Sequence, residues 1–438
     1  MVPVTIIAND SQYHDDFYQG VFVMRCVSGV LGAAALVTVL SVSAAVAAEG
    51  NAYVQKNLVA NDAKYGADFV DPKLINAWGI AIRPAGAGGH FWVTGTDISF
   101  EYVGDVHQSP DPKLRTLHQD ALTHITLPVG GKDNVSTGVV FNGNKNSFVI
   151  TQSVAGAEPI TAGAKFLFSS DGGILSAWTE RKKPDGTFDW PREAVTVVDA
   201  SKEGAQFFGL AVNQVGTRLY AADFGHNPRI HTFDAAFQPV NVVFDNPFDT
   251  NKNGTVDAGE YAPFNIQGLT TPAGNYRLFV TYAKTQGCPA EEVAKKTCES
   301  GALFVGEEDT TQPGLGRVVE FTENGKQVAI WDDGGKLSAP WGIVFAPKEG
   351  FGALSGHLLV ANFGDANPGT IAAFDPKTRT FTDYLRDAKG QPVVIDKVWG
   401  LLFGNGESLG DKNALYFAAG PEDETEGLFG SLRPVVSE

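Results

Sequence analysis

The sequence predicts an all-β protein, a six-bladed β-propeller whose last blade is closed by an N-terminal strand. Three observations predict this fold: a composition suited to short strands, a strand motif that recurs six times, and one early strand with no partner nearby. The 438 residues include 50 glycines and 29 phenylalanines, and 43% of them are hydrophobic. Such a chain can bury a large core, and its frequent turn dipeptides favour short strands over long helices.

The recurring motif is a short apolar strand built around a glycine. The six motif glycines are Gly79, Gly138, Gly209, Gly268, Gly342 and Gly400. A second strand follows each motif after a polar turn, and the predicted second strands are residues 91–94, 148–151, 219–222, 278–281, 358–361 and 415–418. Three units also show a third and a fourth strand, and their fourth strands are residues 240–244, 328–331 and 381–385. Because four antiparallel strands make one blade, the six units predict six blades.

Closure of the ring is predicted from the two ends of the repeat region. The sixth unit ends after its third strand, near residues 428–435, whereas residues 53–59 form a strand that precedes the first unit. A propeller leaves no large exposed sheet edge once its ring is closed. We therefore expect residues 53–59 to supply the outer strand of the last blade.

The N-terminal region predicts export. Residues 27–46 are apolar and rich in small side chains, Arg25 precedes them, and Ala45-Val46-Ala47 has the small-x-small pattern of a cleavage site. Acidic residues before Met24 are unusual for a signal peptide, so we infer that translation begins at Met24. We expect residues 1–47 to be leader and signal peptide, residues 51–438 to be the propeller, and the protein to be secreted or periplasmic. The alternative is an uncleaved membrane anchor, since the apolar run nearly spans a bilayer.

Charge excludes one class of partner. The formal net charge is −17 at pH 7, from 33 Lys and Arg against 50 Asp and Glu. Because nucleic-acid binding depends on clustered Lys and Arg, we expect no nucleic-acid partner. After signal cleavage we expect no stable membrane insertion, and we expect a monomer that binds an extracellular ligand or protein.

The cysteines indicate one disulfide bond. Cys26 lies in the predicted signal, which leaves Cys288 and Cys298 in the mature protein. An oxidising compartment would allow these two to pair. The alternative is two free thiols.

A twelve-residue segment, 249–260, fits the template of an EF-hand calcium loop. Gly254 stands at position 6 and Val256 at position 8, and the predicted ligands are Asp249, Asn251, Asn253, Thr255 through its carbonyl, Asp257 directly or through water, and Glu260. Calcium prefers six to eight oxygen ligands, which this spacing can wrap around one ion. Strand-like flanks argue against the usual helix pair, so we expect a lone structural Ca²⁺ site of weak affinity. The alternative is a solvated Asn-Gly turn.

Several motifs resemble a bacterial family of secreted β-propeller proteins akin to NHL repeats. The residues that carry the resemblance are 76–81, 261–267, 339–343, 361–365, 416–421 and 427–430. The resemblance implies an NHL-like or lactonase-like propeller, and the family supplies no established catalytic residues. Two segments depart from the family pattern, the calcium loop at 249–260 and the cysteine-bearing segment at 285–314. Both are expected to be loops inserted between strands.

Polar residues at the channel mouth are weak candidates for catalysis. In the predicted alignment the second strands end at Gly95, Thr151, Asp223, Tyr282, Asn362 and Ala419. Only Asp223 and Asn362 among these offer a carboxylate or an amide, which is a thin ligand set for a catalytic metal. Both occur before Phe-Gly and are equally suited to capping turns.

Aromatic residues recur at one position of the repeat. Trp78, Phe208, Trp341 and Trp399 each precede a motif glycine, which predicts packing between blades. The function that we expect is therefore a ligand- or partner-binding scaffold with a structural calcium site. The alternative is a lactonase-like or lyase-like enzyme at the channel mouth, with Asp223 as base or metal ligand.

Overall fold

The computed structural model describes residues 50–366 and 368–435. The predicted leader, residues 1–47, lies outside the described residues, so the export prediction stays a prediction. Within the described ranges no helix has the length and apolar character needed to span a membrane.

Strands dominate the described residues. In the first half of the chain they are β1 (Tyr53–Ala60), β2 (Phe69–Val70), β3 (Ile80–Ala81), β4 (Phe91–Gly95), β5 (Ile98–Tyr102), β6 (His124–Thr126), β7 (Ser136–Phe141), β8 (Val149–Val154), β9 (Ala157–Gly163), β10 (Phe166–Ser170), β11 (Ile174–Trp178), β12 (Arg181–Lys182), β13 (Phe188–Asp189) and β14 (Val195–Asp199). In the second half they are β15 (Phe207–Val212), β16 (Arg218–Asp223), β17 (Arg229–Asp234), β18 (Tyr261–Thr270), β19 (Tyr276–Gly287), β20 (Leu303–Glu308), β21 (Gly316–Phe321), β22 (Gln327–Trp331), β23 (Pro340–Phe345), β24 (Leu358–Asn362), β25 (Ile371–Asp375), β26 (Thr380–Tyr384), β27 (Val398–Phe403), β28 (Leu415–Ala419) and β29 (Leu428–Pro434).

Helices are few and short in the part of the chain that the structure describes. One α-helix, α1, covers Ala290–Lys295, and 3-10 turns cover Ala63–Tyr65, Pro112–Arg115, Ser201–Glu203 and Gly352–Leu354.

Six antiparallel sheets form the blades of a β-propeller. From the axis outwards they are β3-β4-β5-β6, β7-β10-β11-β14, β15-β16-β17, β18-β19-β21-β22, β23-β24-β25-β26 and β27-β28-β29-β1-β2. Apolar side chains between neighbouring sheets form the core, because each blade must cover both of its faces. The predicted all-β, six-bladed fold is confirmed.

The predicted closing strand is also confirmed. Strand β1 pairs antiparallel with β29, from Tyr53 opposite Pro434 to Ala60 opposite Leu428. Leu58, Val59 and Ala60 are fully buried, so the strand contributes to the core as well as to the ladder. The first segment of the described chain therefore completes the blade that the last segment begins.

Blade 2 corrects one strand prediction. Residues 149–154 form β8, which pairs only with β9 in a separate hairpin, and the second strand of the blade is β10. Both segments have strand-like composition, so only their pairing with β7 distinguishes them. Thr151 consequently lies exposed on the hairpin, away from the channel.

A second strand prediction, in blade 3, is also wrong. The predicted fourth strand at residues 240–244 is not formed, and the sheet has three strands. Pro239 has no N–H to donate, and Val242 donates to the carbonyl of Val240 in a tight turn. The segment still packs against the blade through Phe244, whose ring lies 5.7 Å from that of Tyr220.

Blade 4 corrects the register of the repeat. Asn265, not Gly268, pairs with Thr281 at the position where the other blades have glycine. Inner strands approach closely there: a Cβ on Gly79 would lie 2.6 Å from the carbonyl oxygen of Thr137. Asn265 is accommodated because its neighbour Gly209 has no side chain, and its amide donates to the Trp341 carbonyl at 2.8 Å.

Candidate functional site

The candidate site lies on the face where the innermost strands begin and the second strands end. The register places Phe207 opposite Asp223, Pro340 opposite Asn362 and Val398 opposite Ala419 at this edge. The calcium-loop segment leads into β18, and the cysteine-bearing segment follows β19, so both insertions of blade 4 emerge here. We call this side of the ring the insertion face.

Aromatic side chains fill the channel at the insertion face. The aromatic plug consists of Trp78, Phe208, Phe264, Trp341 and Trp399, which come from five of the six blades and are at most 6% exposed. The rings of Trp78 and Trp399 stack with centroids 3.8 Å apart. The indole N–H of Trp341 crosses to the carbonyl of Phe208 at 2.9 Å, from blade 5 to blade 3. Their recurrence in the sequence is therefore explained by packing at the axis, as well as between blades.

A small cavity of about 60 Å³ lies beside the plug, with Trp341 in its lining. Side chains from all six blades line it, among them Ile80, Val139, Leu210, Gln267, Trp341 and Leu401. None of the described lining residues carries a carboxylate or an imidazole. The cavity has room for a few water molecules and no group suited to acid-base chemistry at neutral pH.

Asp223 and Asn362 both lie at the edge of the plug and are committed to structural hydrogen bonds. The Asp223 carboxylate accepts from the backbone N–H groups of Gln206 (2.9 Å) and Gly225 (2.8 Å), and lies 2.9 Å from Nε2 of His231. Asn362 accepts from the N–H of Ser338 at 3.0 Å and donates to the carbonyl of Lys336. Such bonds fix the turns at the ends of the second strands, which favours the capping role.

The two insertions of blade 4 lie across the insertion face. Val256 of the calcium loop packs against the apolar cluster that contains the aromatic plug. Strand β20 passes close to blade 3, where Gly306 lies against the side-chain amide of Gln206, and towards blade 5, where Thr310 donates to Asp365 at 3.2 Å. The cysteine-bearing segment therefore crosses the insertion face over the plug.

Charged side chains gather beside β20 in what we call the acidic recess. Its members are Glu307, Glu308, Asp365, Lys397 and Glu424, supplied by blades 4, 5 and 6. Lys397 is 8% exposed, its Nζ lies 2.7 Å from Oδ1 of Asp365, and it sits 4.5 Å above the ring of Phe363. With four carboxylates and one ammonium group, the recess is negative when all of its members are ionised.

Burial and mutual repulsion alter the protonation of the recess. Burial, followed by repulsion from Glu307 and Glu424, raises the pKa of Glu308 to about 8. Burial also raises the pKa of Glu424, against the hydrogen bond from Asn76 and the charge of Lys397. Across the face, burial raises the pKa of Asp171 to about 6. Carboxyl groups that resist ionisation in this way are candidates for function.

Glu424 is held by an unusual backbone conformation. Three consecutive non-glycine residues, Glu422, Asp423 and Glu424, have φ values of 55°, 50° and 64°. Left-handed geometry costs non-glycine residues about 1 to 2 kcal/mol each. The turn is retained by bonds from Glu424 N to Gly420 O and from Glu422 N to Asp396 Oδ2. Its result is to bring Glu424 to Asn76, whose amide donates to the carboxylate at 3.2 Å.

The calcium-loop segment is folded back on itself by its own side chains. The N–H of Gly254 donates to Oδ2 of Asp249 at 2.8 Å, and Gly254 has a φ of 81°. The N–H groups of Thr250 and Asp257 donate to the two carboxylate oxygens of Glu260 at 2.7 and 3.1 Å. The last residue of the loop therefore reaches back to the first turn.

The remaining predicted ligands also converge. The amides of Asn251 and Asn253 lie 2.7 and 2.9 Å from Oδ2 of Asp257. Oδ1 of Asp249 is buried without a hydrogen-bond partner. Across residues 50–366 and 368–435, no three His, Cys, Asp or Glu side chains converge closely enough to hold a metal ion. In this loop the predicted donor set includes two amides and a carbonyl, so Ca²⁺ would depend on more than carboxylates.

The two cysteines of the described chain are joined. Cys288 and Cys298 form a disulfide with their Cα atoms 6.1 Å apart, and the bond closes a loop around α1. The N–H of Cys288 also donates to the carbonyl of Ala302 at 2.9 Å. The disulfide therefore constrains the segment that precedes β20.

Sequence reasoning did not find the acidic recess. Glu307 and Glu308 lie in an irregular insertion, and Glu424 lies in a loop of blade 6, more than a hundred residues away. One signal was present: the acidic run from Glu422 to Glu426 follows the end of a second strand. Phe264 was also missed, because the repeat register in blade 4 was placed on Gly268.

Comparisons with known proteins find similar viral proteins whose names state no activity. Uncharacterized protein R648 of Acanthamoeba polyphaga mimivirus is 29% identical over 381 residues, which cover 86% of this chain and 78% of that protein. Uncharacterized protein L690 of the same virus is 27% identical over 83% of this chain and 81% of its own length. Uncharacterized protein R640 is 24% identical over 63% of this chain and 44% of its own. No protein-family model matches the chain.

Among solved structures, the Dos1 propeller is similar over 84% of this chain and 70% of that chain, with a TM-score of 0.38 and 9% sequence identity.

Proposed function

We propose that this protein is an exported binding scaffold whose ligand contacts the insertion face. The observation that carries the proposal is the aromatic plug, which occupies the axis where a channel-mouth enzyme would need converging polar groups. Asp223 and Asn362, the candidates for such chemistry, are engaged in turn-capping bonds. Charged side chains that cap no turn at the plug lie instead in the acidic recess, beside β20.

The sign of that charge indicates the kind of ligand. Glu307 and Glu424 lie close enough to Glu308 to raise its pKa by repulsion, and Lys397, the ammonium group that interacts with them, is already paired with Asp365. Carboxylates held near one another with raised pKa values gain free energy when a cation arrives. A cationic ligand, such as a lysine-bearing segment of a partner protein, is therefore the class that fits the recess.

Binding of a short oligolysine peptide, measured by calorimetry at low ionic strength, tests this function. We expect the variant Glu307→Gln/Glu308→Gln to bind the peptide at least tenfold more weakly than the unchanged protein. The matched control is Glu158→Gln/Glu349→Gln, which makes the same change in net charge at exposed positions. Equal weakening in both variants would reduce the effect to overall charge and contradict a site at the recess.

We also propose that segment 249–260 binds one structural Ca²⁺ through Asp249, Asn251, Asn253, the Thr255 carbonyl, Asp257 and Glu260. The residues fit the ion: Oδ1 of Asp249 is buried without a partner, and the side chains of Asn251 and Asn253 already contact that of Asp257 through their amide nitrogens, so rotation of the two amides would turn their oxygens towards the ion. Extracellular calcium sites bind in the range of about 0.1 to 1 mM.

Calorimetry with CaCl₂ on the mature protein tests the calcium site. We expect one site in that range, absent in Glu260→Gln and retained in the control Glu299→Gln, whose side chain lies outside the loop. At 10 mM Ca²⁺ the linked stabilisation would be about 1.5 to 3 kcal/mol. Absence of binding at several millimolar calcium would remove the site.

We propose in addition that the protein is secreted or periplasmic. The predicted signal peptide supports this location, and so does the pairing of the two mature cysteines, which requires an oxidising compartment to persist. N-terminal sequencing of the protein from its native source should find a start close to residue 48. A start before residue 45 would contradict cleavage at the predicted site.

A further inference from the structure

We infer that calcium in the loop at 249–260 fixes the position of β20, so that cation binding at the acidic recess depends on calcium. This inference rests on the proposed calcium site and concerns how that site is connected to Glu307 and Glu308. It is carried by a short chain of contacts from the last calcium ligand, Glu260, through Thr285 to Glu308.

Thr285 is the connection between the two insertions. It is 2% exposed, and its N–H donates to the carbonyl of Glu260 at 2.8 Å. Its hydroxyl lies 3.1 Å from the carbonyl of Asp257 and 3.0 Å from that of Glu260, and it accepts from the N–H of Gly259 at 3.1 Å. One buried side chain thus holds the final turn of the calcium loop.

The same residue holds the start of the recess. Thr285 pairs with Glu308 where β19 meets β20, and the side-chain amide of Gln286 donates to the carbonyl of Glu308 at 3.3 Å. Only one residue therefore separates a predicted calcium ligand from a recess carboxylate. A shift of the loop's last turn cannot occur without moving or breaking these bonds.

The rest of the cysteine-bearing segment buries few side chains. None of the residues of α1 is buried, and no residue of β20 is fully buried. The pairing of β19 with β20 is irregular and involves Thr285 with Glu308 and Gly287 with Leu303. Segments with few buried contacts open locally at low free-energy cost, so a ligand that fixes one attachment shifts their equilibrium strongly.

A second contact also links the calcium loop to the position of β20. Val256, at position 8 of the loop, packs on the aromatic plug, and β20 crosses the same face. Closing the loop around an ion would hold Val256 against the plug and with it the surface on which β20 rests. Calcium and the cationic ligand would then each increase the affinity of the protein for the other.

Hydrogen exchange of the full mature protein tests the coupling. With 10 mM CaCl₂ present, we expect amides of residues 285–309 to exchange at least tenfold more slowly, with no change in blade 2. MgCl₂ at the same concentration is the ion control, because the smaller ion demands a tighter octahedron. We expect oligolysine affinity to rise at least fivefold with calcium.

Two variants separate the inference from the calcium site itself. Glu260→Gln should lose both calcium binding and the protection of residues 285–309. Thr285→Val removes the hydroxyl bonds but retains the backbone bond to Glu260, so it should bind calcium within about threefold and transmit little protection. Calcium binding without slower exchange at 285–309 would overturn the coupling and leave the calcium site standing. Absence of calcium binding would overturn both.

Discussion

Blades 4 and 6 both depart from a plain four-stranded blade, but their additions have opposite consequences. Blade 6 receives β1 from the other end of the chain, and the added strand pairs with β29 from Tyr53 to Ala60 and buries Tyr53, Leu58, Val59 and Ala60. Blade 4 receives two insertions, which lie over the insertion face and remain largely exposed or half-exposed. Buried contacts in this molecule therefore serve to close the ring, whereas the insertions that carry the candidate site bury few side chains.

Removing the closing strand should have the largest effect. A mature form that begins at residue 61 loses the β1–β29 ladder and the burial of Tyr53, Leu58 and Val59. We expect a loss of more than about 5 kcal/mol in the free energy of unfolding, sufficient to prevent folding of the ring. Circular dichroism and thermal unfolding measure it.

The matched change in blade 4 replaces Ala290–Lys295 with the same number of Gly and Ser residues. Because no residue of that helix is buried, we expect the free energy of unfolding to change by less than about 1 kcal/mol. A comparable loss in both proteins would contradict the contrast between the two blades.

The second largest effect is expected at the junction of blades 6 and 1. Arg433 of β29 donates to Oδ2 of Asp105 at 2.6 Å, and Tyr416 donates to the same oxygen at 2.7 Å. Asp105 is 1% exposed, so Arg433→Met leaves a buried carboxylate without its cation. We expect a loss of about 3 to 5 kcal/mol by chemical denaturation. The double variant Arg433→Met/Asp105→Asn should recover part of it, and failure to recover would indicate lost packing instead.

A smaller effect, dependent on pH, is expected in the recess. The pKa of Glu308 is raised from 4.5 to about 8, so the folded protein holds this proton more tightly than the unfolded chain. The stabilisation is fully present below about pH 4.5 and is lost as the pH rises through about 8. After discounting for partial exposure we expect a change of about 1 to 2 kcal/mol in the local stability of the insertion.

Hydrogen exchange of residues 303–309 between pH 5 and 9, corrected for intrinsic rates, measures this change. Glu308→Gln should make the protection of these amides nearly independent of pH. Oligolysine affinity should rise over the same interval in the unchanged protein, since ionised Glu308 attracts a cation. Identical pH profiles in the two proteins would contradict the raised pKa.

The smallest effect on the whole molecule is expected from the disulfide. Cys288→Ser/Cys298→Ser should accelerate amide exchange in residues 286–303, because closing a loop this short restricts the open chain by about 2 to 3 kcal/mol. The free energy of global unfolding should change by less than about 0.5 kcal/mol, since the segment adds little to the core. A large drop in the melting temperature would show that the insertion is part of the ring's cooperative unit.

Much of the fold could be predicted because each blade is built mainly from strands that follow one another in the sequence. The repeat of apolar strands around Gly79, Gly209, Gly342 and Gly400 follows from the close approach of inner strands, which requires glycine whatever the loops do. Residues 53–59 were predicted to close the ring because an unpaired strand and an incomplete blade imply each other. Errors arose where two segments suited the same role, as with β8 and β10, or where a residue other than glycine filled the repeat position, as with Asn265.

The candidate site was less predictable for a physical reason. A calcium loop is contiguous, so its donors can be found by spacing in one segment, from Asp249 to Glu260. The acidic recess joins Glu308 and Glu424, whose pKa values are raised by burial, to Lys397, and this grouping depends on packing across three blades. Such groupings have no fixed spacing along the chain.

By itself, the amino-acid sequence determined the number of blades, the closing strand and the loop with calcium-ligand spacing, because each depends on residue order over short distances or on the pairing of two complete strands. Only the tertiary structure decided that the channel is plugged, that Asp223 and Asn362 are turn caps, and that both insertions of blade 4 meet over the plug. Those features arise from side chains that converge on one axis from different blades, and their burial and charge exist only once the ring has closed.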